Sequence, residues 1–167
     1  MSAAQPTAAV AATGTSTSPG ADPTTMPAAQ ATALAAVLAA EQAAVYAYGV
    51  VGAQGAAADR DEALTALQRH AARRDLVAAR LSVAQQTPKP APPAYQLPFA
   101  VGTPAQSRKL AVHVETAVAD ANADLVAASP AAARVEASRW LAESAVAART
   151  WGARAQTFPG MPERAGR

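Results

Sequence analysis

The 167-residue sequence contains no cysteine, and aromatic residues make up only 4% of it. Without cysteine the chain has no disulfide framework, no thiolate zinc site and no cysteine nucleophile. Alanine is the commonest residue, and because alanine is the strongest helix former and a weak strand former, the composition argues against sandwich and barrel folds. No run of 18 apolar residues lacks a polar break, so the sequence predicts no transmembrane helix.

Charge of either sign is also scarce, since charged residues make up 16% of the chain and the formal net charge is +2. The basic residues are scattered rather than clustered, which is not the pattern of a nucleic-acid-binding protein. We therefore expect a cytoplasmic protein with neither a membrane nor a nucleic acid as its partner. The alanine-rich helix surfaces allow close helix contacts, so a homodimer is a possible assembly.

Composition divides the chain into a tail, a helical domain and a short end. Residues 1–30 consist of Ala, Thr, Ser, Pro and Gly with few other types and a single charge, Asp22. They contain nothing to bury and are predicted to form a disordered tail. They also lack the basic and leucine-rich regions of a secretory signal. Residues 31–162 are predicted to form the folded domain, and residues 163–167 a C-terminal tail.

Four helices are predicted in the folded domain, over about residues 31–54, 60–86, 104–128 and 130–156. The third begins at a capping box in which Thr103 is the N-cap, Pro104 takes the first position and Gln106 follows three after the cap. Ser129 and Pro130 give a similar start signal for the fourth. An acidic cluster at residues 59–62 suits the start of the second helix.

The connections between these helices have unequal lengths. Helices 1–2 and 3–4 are joined by a few residues, so each pair is predicted to be an antiparallel hairpin. Residues 87–102 contain five prolines and, in extended conformation, reach about 50 Å. A 27-residue helix is about 40 Å long. The linker can therefore cross the whole bundle and make helices 2 and 3 parallel, although an up-down-up-down bundle with a free loop remains the alternative. The predicted fold is all-α, a ferritin-like four-helix bundle of two hairpins joined by a long Pro-rich crossover.

Four polar residues fall on or beside the apolar stripes of these helices: Glu41, His70, Arg74 and Glu115. On the second helix the predicted apolar stripe includes His70 and Arg74 and is formed by Leu64, Leu67, Val77, Ala78 and Leu81. Matching heights along the bundle brings all four polar residues to its middle. Since a buried carboxylate is costly unless paired, we expect them to form a polar network or a ligand-binding site.

Four short motifs occur in order: AEQAAVYAYG over residues 40–49, HAARRD over 70–75, YQLPF over 95–99 and FPG over 158–160. Together they resemble a ferritin-like family of unknown function from high-GC bacteria, over residues 31–162. The resemblance implies a ferritin-like four-helix bundle and no established activity. In that family the residue after the first-helix glutamate is often histidine; this chain has Gln42, so a potential nitrogen ligand is absent.

A ferritin-like di-iron centre uses one Glu from each of two helices and Glu-x-x-His from each of the other two. The sequence has no Glu-x-x-His, and Leu67 stands three residues before His70. Arg74 would also repel a cation. We therefore predict no di-iron centre, no metal and no cofactor. The alternative is a reduced iron or manganese site at Glu41, His70 and Glu115.

The leading functional hypothesis is a non-catalytic structural or interaction protein built round the buried Glu/His/Arg network. One alternative is a metal-binding protein or oxidoreductase with the reduced site, and another is a pocket for a small polar or anionic ligand. A third is an RNA-associated protein that uses Arg69, Arg73 and Arg80 as a basic edge of helix 2. That edge is more typical of an exposed helix face with charge partners four residues away.

Overall fold

The computed structural model describes residues 26–161. It contains four long helices: α1 (Ala28–Gln54), α2 (Arg60–Val83), α3 (Pro104–Ala128) and α4 (Ala131–Thr150). A single 3₁₀ turn, Ala57–Asp59, joins α1 to α2, and residues 26–161 contain no strand. The all-α fold class is confirmed. Most of the expected N-terminal tail and all of the expected C-terminal tail (163–167) lie outside the described residues, and α1 begins three residues before the expected boundary.

The helix start signals had different outcomes. At the start of α3 the Thr103 hydroxyl accepts from the Gln106 amide at 3.3 Å, which confirms Thr103 as the N-cap. Gln106 Oε1 accepts from the Gly102 amide at 2.9 Å, one residue before the amide that a capping box uses. Pro130, rather than Ser129, takes the cap position of α4. The Ser129 hydroxyl makes no hydrogen bond in the described part of the chain, so the predicted Ser129 cap is wrong.

Two helices end earlier than predicted. Helix α2 ends at Val83 rather than near residue 86, and Gln85 just beyond it has a positive φ of 58°. Helix α4 ends at Thr150 rather than near residue 156, because Gly152 adopts φ +108°. The Ala153 amide then bonds to the Ala148 carbonyl at 2.9 Å and the Gly152 amide to the Arg149 carbonyl at 3.0 Å. These two bonds form a Schellman motif, which terminates the helix.

Two apolar clusters show how the helices run. One joins the C-terminal half of α1 to the first halves of α2 and α3 and to Trp151 just after α4. The other joins the first half of α1 to the ends of α2 and α3 and to the first half of α4. Helix α1 is therefore antiparallel to α2 and α3, and α4 is antiparallel to α3. It follows that α2 and α3 run parallel, which is one of the two arrangements that the length of the crossover allows. The close helix pairs are α1–α2, α1–α3 and α3–α4.

The crossover, residues 84–103, packs onto the helices. Leu97, Phe99 and Val101 pack against the first cluster. Tyr95 contacts Tyr46 of α1, with 5.3 Å between the ring centroids, and the Gln42 side-chain amide donates to a crossover carbonyl at 2.8 Å. The aromatic part of this segment therefore packs onto the bundle rather than forming a free loop.

Helix α1 is apolar on most of its surface. By length and composition it is the one helix in residues 26–161 that could cross a membrane, with a mean hydropathy of 1.5 over its most apolar window. The sequence criterion missed it because that criterion required a run without polar breaks. Half of the window is buried inside the protein. A core helix and a signal sequence near the N-terminus pass the same test, so the finding is weak evidence for a membrane span.

Candidate functional site: a buried charged network

Three helices each place one charged side chain in the middle of the protein. Glu41 of α1, His70 of α2 and Glu115 of α3 are all 0% exposed. His70 Nδ1 lies 2.6 Å from Glu41 Oε2, and His70 Nε2 lies 3.1 Å from Glu115 Oε1. The imidazole therefore bridges two carboxylates through both of its nitrogens.

This geometry favours the imidazolium form of His70, because only the protonated ring donates from both nitrogens. Burial by itself lowers the pKa of His70, but the hydrogen bonds to Glu115 and Glu41 and their negative charges outweigh it, so the pKa is raised. Burial opposes ionisation of Glu115 too. The hydrogen bond and charge of His70, followed by Tyr48 and Arg69, nevertheless lower the pKa of that carboxyl.

Two arginines of α2 complete the charge balance. Arg69 Nη2 donates to Glu115 Oε1 at 2.6 Å. Arg73, which is only 7% exposed, lies with Nη1 3.4 Å from Glu41 Oε1 and also donates to Glu143 of α4. With His70 protonated, three cations face three carboxylates. The network is therefore close to neutral, which reduces the cost of burying it.

Tyr48 of α1 is a member of the network that the sequence did not predict. Its hydroxyl donates to Glu115 Oε1 at 2.7 Å, and its ring stacks on His70 with 5.3 Å between centroids. Burial and the Glu115 charge raise the pKa of Tyr48 well above its ordinary value, so the hydroxyl remains a donor. Tyr48 stands seven residues, about two helical turns, after Glu41 in α1. A buried tyrosine needs a partner for its hydroxyl, and this was the available signal.

Arg74 does not join the network, contrary to the prediction. Its side chain is one-third exposed and pairs with Asp75 at 2.8 Å. The buried face of α2 consists of Ala63, Ala66, His70, Arg73, Val77 and Leu81. The predicted stripe began at Leu64, which is 54% exposed. Small alanines rather than large leucines cover the inner face near the start of α2. The predicted stripe was therefore rotated by one residue from the buried face, and it included Arg74 instead of Arg73.

The arginines of the predicted basic edge of helix 2 pair with acids of the other helices. Arg69 pairs with Glu115 of α3, and Arg73 pairs with acids of α1 and α4. Arg80 pairs with Glu136 of α4, and the guanidinium groups of Arg73 and Arg80 lie 5.2 and 5.4 Å from the centre of the Trp140 ring. Their partners come from other helices rather than from positions four residues away. These contacts connect α2 to α1, α3 and α4.

The network's donor set does not fit a metal in this arrangement. Within residues 26–161 no group of three or more His, Cys, Asp or Glu side chains is arranged to hold a metal ion. Both nitrogens of His70 already face carboxylates, and Arg69 donates to the same Glu115 oxygen that His70 faces. Arg73 lies at the other oxygen of Glu41. Glu115 Oε2 is buried without a hydrogen-bond partner in the described structure. One such oxygen is too few ligands for a protein metal site.

The fold and the network define an all-helical protein with a nearly neutral charged cluster at its centre. The chain belongs to the family described as "Domain of unknown function (DUF4439)", whose profile matches residues 33–163. Membership of a family of unknown function is thus confirmed.

A solved structure is similar to this chain over most of its length. It is the crystal structure of a conserved hypothetical protein, rv2844, from Mycobacterium tuberculosis, with 40% sequence identity and a TM-score of 0.71. The similarity covers 74% of this chain and 94% of that one. No curated protein matches the chain.

Proposed function

We propose that the protein is a non-catalytic, metal-free helical scaffold with a ferritin-like four-helix bundle architecture. The observation that carries this proposal is the position of His70, which bridges Glu41 and Glu115 at 2.6 and 3.1 Å. In ferritin-like carboxylate proteins, metal ions supply the positive charge between inward-facing glutamates. Here the imidazolium and two arginines supply it.

The arrangement of the helices supports the ferritin-like part of the proposal. The parallel α2 and α3 with a long crossover between two hairpins is the connectivity of that class. The network lies between the two apolar clusters and receives side chains from all four helices. A buried charge network of this kind can fix helix register. Its role in this protein is then to select one packing arrangement among alanine-rich helices that could pack in several registers. The outer surfaces of these helices bind a cytoplasmic partner or a second copy of the chain.

Metal loading tests the proposal directly. Tag-free protein is incubated with Fe(II), Mn(II) or Zn(II) without oxygen, excess metal is removed, and bound metal is measured by mass spectrometry. We expect less than about a tenth of an ion per chain, because a cation must first displace the proton that His70 shares with each glutamate. In parallel, ¹⁵N NMR of the His70 ring is expected to show two protonated nitrogens at pH 6.

One observation favours a second candidate, a metal-binding protein or oxidoreductase. Glu41, His70 and Glu115 do meet from three helices, and Glu115 Oε2 has no hydrogen-bond partner among the described residues. Stoichiometric iron or manganese that disappears in His70→Gln, and persists in the exposed-histidine control His113→Gln, would establish that candidate and overturn the scaffold proposal.

A further inference from the structure

A pocket of about 210 Å³ lies between α3, α4 and the segment that follows α4, residues 151–161. The segment is anchored at both ends. At its start, Gly152 forms the Schellman motif that ends α4. At its end, Gly160 adopts φ +76°, and a Cβ there would lie 2.6 Å from Ala123 Cβ and 2.8 Å from the Ala119 carbonyl oxygen. The segment therefore forms a wall held in place by close packing.

The interior of this pocket is apolar. Helix α3 contributes Ala119, helix α4 contributes Ala145 and Ala148, and Pro159 closes the side formed by the segment. Ala119 and Ala148 are buried, so these methyl groups form a floor rather than an open surface. Apolar walls with a few polar groups at one place are typical of small-molecule sites.

Two of the four polar residues that line the pocket are cationic, and the other two are Thr116 and Gln156. Arg149 and Arg154 both line it, and none of its lining residues is acidic. Arg149 Nη1 donates to the Ala153 carbonyl at 2.7 Å, which holds this guanidinium against the segment. No ion pair found among residues 26–161 uses either arginine. A guanidinium has five donors in a planar fork that matches a carboxylate, so donors remain for an anion.

We propose that this pocket binds a small carboxylate with an apolar body, with the body on the alanine floor and the carboxylate between Arg149 and Arg154. The volume is suitable, because an apolar cavity of about 150 Å³ holds benzene. A ligand of benzoate size fits the 210 Å³ available. This site is separate from the buried network and does not depend on the scaffold proposal.

Titration with sodium benzoate, followed by ¹H–¹⁵N NMR on the full chain, tests the proposal. We expect a dissociation constant of about 1 mM, with the largest shifts at the amides of Ala119, Ala145 and Ala153. Benzyl alcohol has the same ring without the charge and is expected to bind at least about fivefold more weakly. Equal binding of the two compounds would overturn the role of the arginines.

Two variants separate charge from shape. Arg149→Gln combined with Arg154→Gln is expected to weaken benzoate binding about tenfold or more, and because both side chains are exposed the fold is retained. Ala145→Leu keeps both charges but fills the pocket, and is also expected to abolish binding. The matched controls on the same helix are Arg139→Gln and Ala142→Leu, which are exposed and outside the pocket.

The control variants are expected to bind benzoate like the parent protein. Shifts spread over arginines elsewhere on the surface would mean non-specific anion binding. Unchanged affinity in the double arginine variant would likewise overturn the proposal.

Discussion

The buried network and the Arg80–Glu136 pair are built from the same kinds of charged residues in different surroundings. Glu41, His70 and Glu115 are 0% exposed, whereas the side chains of Arg80 and Glu136 are 38% and 36% exposed. Water can replace a lost partner at the second location but not at the first. The comparison teaches that burial, rather than the number of ion pairs, decides what each charge contributes to this fold.

The largest effect is expected from Glu41→Ala, which leaves His70 and Arg73 without their shared carboxylate in the interior. We expect a loss of about 3–5 kcal/mol in the free energy of unfolding, measured by urea denaturation. A stability within about 0.5 kcal/mol of the parent would show that water reaches Glu41 and would remove the contrast between the two locations.

Adding Arg73→Met to Glu41→Ala sharpens the test. The second substitution removes Arg73, one of the two cations that lose Glu41 as a partner, and leaves His70 paired with Glu115. We therefore expect the double variant to recover about 1–2 kcal/mol of the loss, since a buried ion pair can be replaced by apolar groups at little cost. Exact additivity of the two single losses would mean that Arg73 and Glu41 do not interact across their 3.4 Å contact.

The pH dependence of stability follows from the directions of the two pKa shifts. The lowered pKa of Glu115 stabilises the fold above its ordinary value of 4.5, and this contribution is lost as the pH falls through the folded-state pKa. The raised pKa of His70 stabilises the fold below its ordinary value of 6.5, and this contribution is lost as the pH rises through the folded-state pKa. Between these values both contributions are complete.

Urea midpoints measured from pH 3 to pH 9 check this profile. The groups that contact His70 are Glu41, Glu115, Arg69 and Tyr48, and the raised pKa of Tyr48 keeps its hydroxyl from ionising in this range. The alkaline decline is therefore expected to disappear in His70→Gln. It is expected to persist in His113→Gln, because His113 is exposed. A decline that depends on His113 instead would contradict the assignment.

The smallest effect is expected from Glu136→Ala at the α2–α4 pair. Because both side chains of that pair are partly exposed, we expect a loss of about 0.5–1 kcal/mol, reduced further at 1 M salt. Urea denaturation at low and high salt measures it. A loss as large as that of Glu41→Ala would mean that water is excluded from the Arg80–Glu136 pair as completely as from the buried network.

Much of the architecture follows from local signals in the chain. The excess of alanine and the N-cap signal at Thr103 indicated the helices, and the length of the Pro-rich crossover allowed α2 and α3 to run parallel. Glu41, His70 and Glu115 were found because a charge on an apolar stripe requires a partner. The sequence did not predict the ends of α2 at residue 83 and of α4 at residue 150. Gly152 was a stop signal for α4, but alanines continue beyond it and suggested a longer helix.

The choice between Arg73 and Arg74, and the recruitment of Tyr48, required the tertiary structure. Both arginines stand near the inner face of α2, and alanines gave the stripe too little contrast to choose between them. Sequence alone determined that the chain is helical and that a few charged side chains must meet inside it, because helix propensity and the cost of a buried charge are properties of the residues themselves. Only the packed structure decided which cations meet those carboxylates, because that depends on the rotation of each helix against its neighbours.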